Sequence, residues 1–418
     1  MRVKILVSAA ISFTLAIFAL SVGADNVPIP ENSCYLSAYN EIGVKKYEEK
    51  IGRKIAVVMF YTNWESDFPR KLCDSYVANN NIPHLSWEPY RVGGSENDPE
   101  GINENSNMNI IAGNKDSYIR KYAQDIAEWG QPLFIRFGLE MNGDWYEWSG
   151  AYSGKETKTE YGDPEKYDGA ERFADAWRHI HDIFSEEGAT NVSWVFAPNC
   201  TDEPNQPWNK MELYYPGDDY VDWLGIDGYN WGTGEWQSFS DVFDYPLQRL
   251  ATLGDQPFMI AEFASGEKGG DKADWITSTF QTIKNDYPRI KAVTWFDINK
   301  EQSWSVMTPS NVLEAYKAAV NDPYYIGDVT ESTKLTTTVL KPHLLPVSIQ
   351  NTSGQLRISS FVQGAFDMRF FSLSGRLLQI VNSKGSNTHI RTNELGAGYY
   401  VLYIDSGGKS FKRIIQVY

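Results

Sequence analysis

The chain has 418 residues and a formal net charge of −16, with 42% apolar and 14% aromatic side chains. An acidic balance of that size disfavours nucleic acid, anionic membrane and acidic polymers as partners, and points to neutral ligands. Three cysteines make no disulfide framework, though one bridge among Cys34, Cys73 and Cys200 stays open, and the five histidines follow no metal-ligand pattern.

Arg2 and Lys4 precede an apolar run from Ile5 to Leu20, which closes on the small residues Val22, Gly23 and Ala24. This is the layout of a secretory signal peptide over 1–24, cleaved after Ala24, and it predicts an exported, secreted or surface protein. Short β-rich runs then alternate with amphipathic stretches. Strands are expected at Cys34–Tyr39, Ile55–Tyr61, Ile82–Glu88, Leu133–Leu139, Val192–Ala197, Val221–Gly228, Phe258–Phe263 and Ala292–Asp297. Tyr118–Trp129 and Phe173–Phe184 repeat apolar residues at i, i+3 and i+4 and read as helices. Eight such units over 25–326 predict an α/β fold, a (β/α)8 TIM barrel. An open doubly wound sheet is disfavoured because no strand is followed by a glycine-rich phosphate loop.

Residues 327–346, rich in threonine and holding two prolines, read as a linker. The segment 347–418 carries short alternating strands at Leu356–Ser359, Asp367–Leu373, Leu377–Val381, Tyr399–Ile404 and Phe411–Val417, and predicts a small β-sandwich. From Leu345 onward eight basic and three acidic residues give +5, against −21 for the rest.

Two segments carry chemistry. Phe134-Ile135-Arg136-Phe137-Gly138-Leu139-Glu140 is a strand that delivers a carboxylate to its loop end, followed by Asn142, Gly143 and several aromatics. Phe258-Met259-Ile260-Ala261-Glu262 does the same where strand formers meet small residues. An unpaired charge inside a protein costs several kcal/mol, so packing alone does not put glutamates there. Glu140 follows the fourth strand and Glu262 the seventh, which places them across the rim from one another. Carboxylates about 5–5.5 Å apart support double displacement at an anomeric carbon with retention. Arg136 either braces these carboxylates or forms a buried structural ion pair. Tryptophans at 148, 194, 208, 231 and 236 are candidate sugar contacts, and the polar stretch 149–168 is a candidate wall of the cleft. Asp218, Asp219 and Asp222 lack the spacing of a calcium loop and read as a solvated acidic turn, and His179 and His181, two apart on a helix, share no face.

The motif Glu140-Met141-Asn142-Gly143-Asp144-Trp145 and the strand-seven glutamate resemble glycoside hydrolase family 26, over most of Ser33 to Tyr325. The resemblance implies a retaining endo-β-glycanase without a cofactor, acting on β-mannan, mixed-linkage β-glucan or xylan. It implies Glu140 as acid/base and Glu262 as nucleophile, with Trp145 at a subsite platform. Tyr229, in Gly225-Ile226-Asp227-Gly228-Tyr229-Asn230, would hydrogen-bond the nucleophile, and Trp295 would stack under the sugar at the cleavage site. Asn142 joins the substrate-binding set, and Trp87 with Glu88, ending strand three, are candidates to line the cleft. Leu139 stands where mannanases of the family carry a histidine, which weakens the mannan assignment and leaves β-mannan and mixed-linkage β-glucan level, with xylan behind. The expected partner is a neutral polysaccharide, bound by a monomer. A non-catalytic glycan-binding barrel and a transglycosylase are the competing readings.

The C-terminal segment resembles the sorting domains of type IX secretion, through Phe371-Ser372-Leu373-Ser374-Gly375-Arg376 and Leu395-Gly396-Ala397-Gly398-Tyr399-Tyr400-Val401. This implies the secretion machinery as a second partner; a carbohydrate-binding module is the rival, disfavoured by the absence of tryptophan.

Overall fold

A computed structural model describes residues 26–90 and 104–328, together with seven strands and the residues beside them within 347–417. The expected leader, and the linker from 329 onward, lie outside the described residues.

Eight parallel strands form the centre: β1 (Cys34–Asn40), β2 (Val57–Asn63), β3 (Ile82–Glu88), β4 (Leu133–Phe137), β5 (Val192–Phe196), β6 (Trp223–Asn230), β7 (Phe258–Ser265) and β8 (Ile290–Asp297). Each pairs with the next, β8 pairs with β1, and Ser37 opposite Val57 closes β1 onto β2. The result is the expected (β/α)8 barrel, with a two-residue strand, Tyr325–Ile326, added beside the start of β1. Helices cover its outside: α1 (Val44–Ile51), α2 (Arg70–Val77), α3 (Asn107–Ile111), α4 (Asp116–Trp129), α5 (Asp168–Glu186), α6 (Phe239–Leu250), α7 (Lys272–Asp286) and α8 (Ser310–Val320). Between β5 and β6 short 3-10 turns take the place of a helix.

The helices follow their apolar stripes. In α4, Ile119, Tyr122, Ala123, Ile126 and Trp129 are buried, one face of a 3.6-residue repeat. The helix stops at Gly130, whose φ of 67° lets its N–H turn back to the Ile126 carbonyl. Two layers of core result. Outside the wall, Trp87, Phe137, Tyr122, Trp177 and Phe184 pack between strands and helices. Inside, Tyr35, Phe134, Val195, Trp223 and Met259 fill the base of the barrel.

Two boundaries differ instructively. β4 ends at Phe137, two residues earlier than expected, because Gly138 and Glu140 adopt φ of 52° and 51° and leave the strand. A side chain at 138 would also crowd the Phe173 ring, 2.9 Å from its Cβ. β6 runs two residues further than expected and so carries Tyr229 to the rim. In the C-terminal part Val347–Thr352, Gln355–Ser360 and Asn387–Arg391 form one antiparallel sheet, and Asp367–Phe371, Leu377–Asn382, Gly398–Ser406 and Lys409–Val417 another. The first and last strands of the three-stranded sheet were not expected.

Candidate active site

The C-terminal ends of the strands open on a cleft of about 550 Å³. Glu140 and Glu262 both line it, with Tyr61, Tyr229, Trp145 and Trp304 around them. The two carboxylates are held differently.

Glu140 sits on the strained turn after β4, a left-handed conformation uncommon for a residue with a side chain. Its N–H donates to the Ala197 carbonyl (2.9 Å), which stitches the turn to β5. The Trp145 indole N–H donates to its carboxyl at 2.8 Å. Burial and the charge of Glu262 push its pKa up to about 7, against the pull of that hydrogen bond.

Glu262 is a carboxylate amid donors. The Tyr229 hydroxyl reaches one oxygen at 2.5 Å; the Tyr61 hydroxyl, at 2.6 Å, and the Arg136 guanidinium reach the other. Arg136 is fully enclosed. One of its nitrogens donates to both oxygens of Asp227 at 2.8 Å, and its Nε and a terminal nitrogen reach the Ser86 hydroxyl at 3.1 and 2.6 Å. Burial opposes its charge, but Asp227 and Glu262 more than offset that and hold it protonated. The arrangement therefore sets a carboxyl that holds its proton to about pH 7 in one cleft with a second carboxyl ringed by hydrogen-bond donors, a division that acid–base chemistry on a glycosidic oxygen can use.

Several expected contacts lie elsewhere. Trp295 has no exposure; it points outward, its indole donating to the Trp304 carbonyl (3.1 Å) and its ring packed on Phe263, Trp275 and Tyr316. Trp87 is likewise an outward core residue, stacked on Tyr122 at 4.6 Å. Both are placed by the two-residue period of a strand, which alternates cleft and helix faces. Asn142 is buried beside the cleft and ties loops together: its amide donates to Asn199, Thr201 and Asp202, and its oxygen accepts from the Asn199 N–H at 2.8 Å. Trp148 and Trp194 belong to the core, Trp208 is buried in the turn after β5, and Trp236 packs over Gly269 and Gly270. Trp231 does line the cleft and is 43% exposed. No residue of 149–168 lines the cleft. That stretch folds back on the start of α5, where the Thr157 hydroxyl donates to Asp168 at 2.7 Å. Asp218 accepts from Tyr215 and Asp222 from the Trp194 N–H, so the acidic turn is divided between separate tasks. Cys34, Cys73 and Cys200 are unbridged.

Other cleft residues were not anticipated: Tyr61, Tyr146, Lys300 and Trp304. Trp304 lies 4.9 Å from the Tyr229 ring and edge-on to Trp231 at 5.1 Å, so it makes the aromatic wall assigned to Trp295. Lys272, nearly buried, donates to the carbonyls of Ser303 (2.6 Å) and Ser305 (2.9 Å) and clamps the loop that presents Lys300 and Trp304. Tyr61 had a legible signal, a tyrosine at the loop end of a strand. Trp304 had none, because its loop has no periodicity.

Comparison with known proteins adds kinship to this geometry. Endoglucanase H of Acetivibrio thermocellus is 38% identical over 288 residues, covering 67% of this chain and 29% of that protein. Mannan endo-1,4-beta-mannosidase A and B of Caldalkalibacillus mannanilyticus is 28% identical over 190 residues, 44% of this chain and 32% of that protein. The chain thus spans about a third of the length of these relatives. The catalytic domain of a GH26 endo-beta-1,4-mannanase from Bacillus sp. JAMB-750 shares the fold, with a TM-score of 0.54 at 18% identity over 72% of this chain and 89% of that one. The model of glycosyl hydrolase family 26 matches residues 68–328, more than half of the chain. That match runs through both strands that carry the carboxylates, and the chain belongs to glycosyl hydrolase family 26.

Proposed function

We propose that the protein is a retaining endo-β-glycanase that cuts neutral polysaccharide by double displacement. The carrying observation is the asymmetry of the pair: Glu140 keeps its proton to about pH 7, while Glu262 accepts from Arg136, Tyr61 and Tyr229. Glu140 donates its proton to the glycosidic oxygen as Glu262 attacks the anomeric carbon, which releases the leaving chain and forms a glycosyl ester. Glu140, now a base, takes a proton from water as that water attacks the same carbon and frees Glu262.

For substrate we place mixed-linkage β-glucan first and β-mannan second. Leu139 is buried and offers the cleft no imidazole, and the relative at 38% identity is named an endoglucanase. Export is part of the same proposal, supported by the basic and apolar leader and by the sorting-like C-terminal strands.

The test is hydrolysis of mixed-linkage glucan, mannan and xylan side by side, by the parent and by Glu262→Ala and Glu140→Ala. Release of oligosaccharides of retained configuration from one polymer, abolished by Glu262→Ala, supports the reading. Binding without cleavage supports the glycan-binding alternative, and chain transfer in place of hydrolysis supports a transglycosylase.

A further inference from the structure

Strand β3 alternates its side chains across the barrel wall. Trp87 points outward, into the helices. Ser86 points inward, where its hydroxyl receives Arg136. A period of two turns Glu88 inward again, one layer above Ser86 and level with the rim. It is only 6% exposed, and among the described residues no hydrogen bond reaches its carboxyl. The charged groups facing it are Arg136 and Glu140 from the end of β4, Glu262 from β7 and Lys300 from the loop after β8. The phenols of Tyr39, Tyr90 and Tyr146 lie close enough to sense its charge. Glu88 is thus a buried third carboxyl beside Glu140 and Glu262, close enough to sense both charges, and the displacement at that pair does not use it.

A buried carboxyl that no described residue hydrogen-bonds has capacity that an incoming ligand can satisfy. Burial, opposed by Arg136 and reinforced by Glu262, lifts the pKa of Glu88 to about 8. At pH 7 it is therefore a neutral acid that can donate one hydrogen bond and accept others. A sugar hydroxyl does the same, so a pair of such groups satisfies both. Other buried acids nearby are already engaged: Asp227 holds Arg136, and Asp297 accepts from the Val306 N–H at 2.7 Å.

We propose that Glu88 is a substrate-contacting residue that hydrogen-bonds the ring hydroxyls of the sugar attacked by Glu262. The proposal rests on the glycanase reading above. A sugar docked over Glu88 strips its remaining water, so binding takes the neutral form and weakens as the carboxyl ionises.

The experiment is the pH profile of kcat/KM on mixed-linkage β-glucan and on mannan for the parent, Glu88→Gln and Glu88→Ala, with melting temperatures for each. In the parent the alkaline limb falls with the loss of two protons, from Glu140 near 7 and Glu88 near 8. Glu88→Gln keeps the shape, a donor and an acceptor; it stays within about threefold at pH 6 and its alkaline limb falls with one proton. Glu88→Ala loses about tenfold or more at pH 6, the worth of one or two hydrogen bonds, with its melting temperature retained. A fully active Glu88→Ala, or a two-proton limb in Glu88→Gln, overturns the proposal. Retention on immobilised polymer separates it from the reading beneath it. A parent that binds without cutting overturns hydrolysis alone, and Glu88→Ala must then bind about tenfold more weakly for the contact to stand. A parent that neither cuts nor binds overturns both.

Discussion

Replacing Arg136 by methionine tests whether one buried cation holds the catalytic basin together. The side chain is enclosed, and its donors end on two carboxylates, Asp227 and Glu262, and on Ser86. Methionine fills much of the volume but leaves two buried carboxylates without their cation. Breaking a buried ion pair from one side costs about 3–5 kcal/mol, against a total stability on the order of 5–15 kcal/mol. At about 2–4 °C per kcal/mol for a domain of this class, melting falls by roughly 6–20 °C. Activity falls for a second reason: Glu262 loses the guanidinium that braces it and retains only the two phenol donors. The double variant Arg136→Met/Asp227→Asn removes one orphaned charge and regains part of the melting temperature, but none of the activity. Melting curves near pH 6 and rate profiles on the polymer read both effects. An Arg136→Met protein within about 1 kcal/mol of the parent, with its activity retained, would refute the reasoning.

Glu140→Gln abolishes hydrolysis yet raises stability. The raised folded pKa means that the unfolded chain ionises from about 4.5 upward while the native site resists until about 7. The penalty therefore grows through that window and is full above it, so the variant's gain in melting temperature should be absent at pH 4, rise to pH 7 and then stay level. Tyr229→Phe removes one donor from Glu262 and should lower kcat about tenfold, with polymer retention unchanged, in a gel-retardation assay run beside the kinetics. Trp304→Ala and Trp295→Ala should each cost about 3–5 kcal/mol of stability, because both rings are buried, but only Trp304→Ala should also raise KM; a raised KM in Trp295→Ala alone would return Trp295 to the cleft.

What the sequence disclosed was governed by periodicity. The eight strands and the carboxylates at the fourth and seventh were legible, because a charged residue at the end of an apolar run has few structural uses. Trp295, taken from the family resemblance, and Trp87, taken from its place at a strand end, were assigned to the cleft without regard to strand face. Their strand positions were right, but the parity that sends a side chain inward or outward depends on where each strand begins, and a shift of one residue reverses it. Tyr229, also taken from the resemblance, does reach the cleft, because it shares an inward face with Asp227, which meets Arg136. Trp304 and Lys300 come from the loop after the last barrel strand and Lys272 from the first residue of α7, where no repeat announces a role.

The division between readable and unreadable has a physical source. Strands β4 and β7 carry their glutamates as exceptions to a strong local rule, and an exception to a rule is visible. Loop residues break no rule, so their function appears only when folding brings them together. Glu88 stands between these cases. It ends a strand as Glu140 and Glu262 nearly do, and the sequence offered it, with Trp87, as a cleft candidate without a role for either. Only the inward face shared with Ser86 and Arg136 puts it among the catalytic carboxyls. A barrel that gathers three acids at one mouth, Glu88 and Glu262 buried and Glu140 partly so, with Arg136 as the enclosed cation, trades stability for a cleft in which proton position is set by the fold.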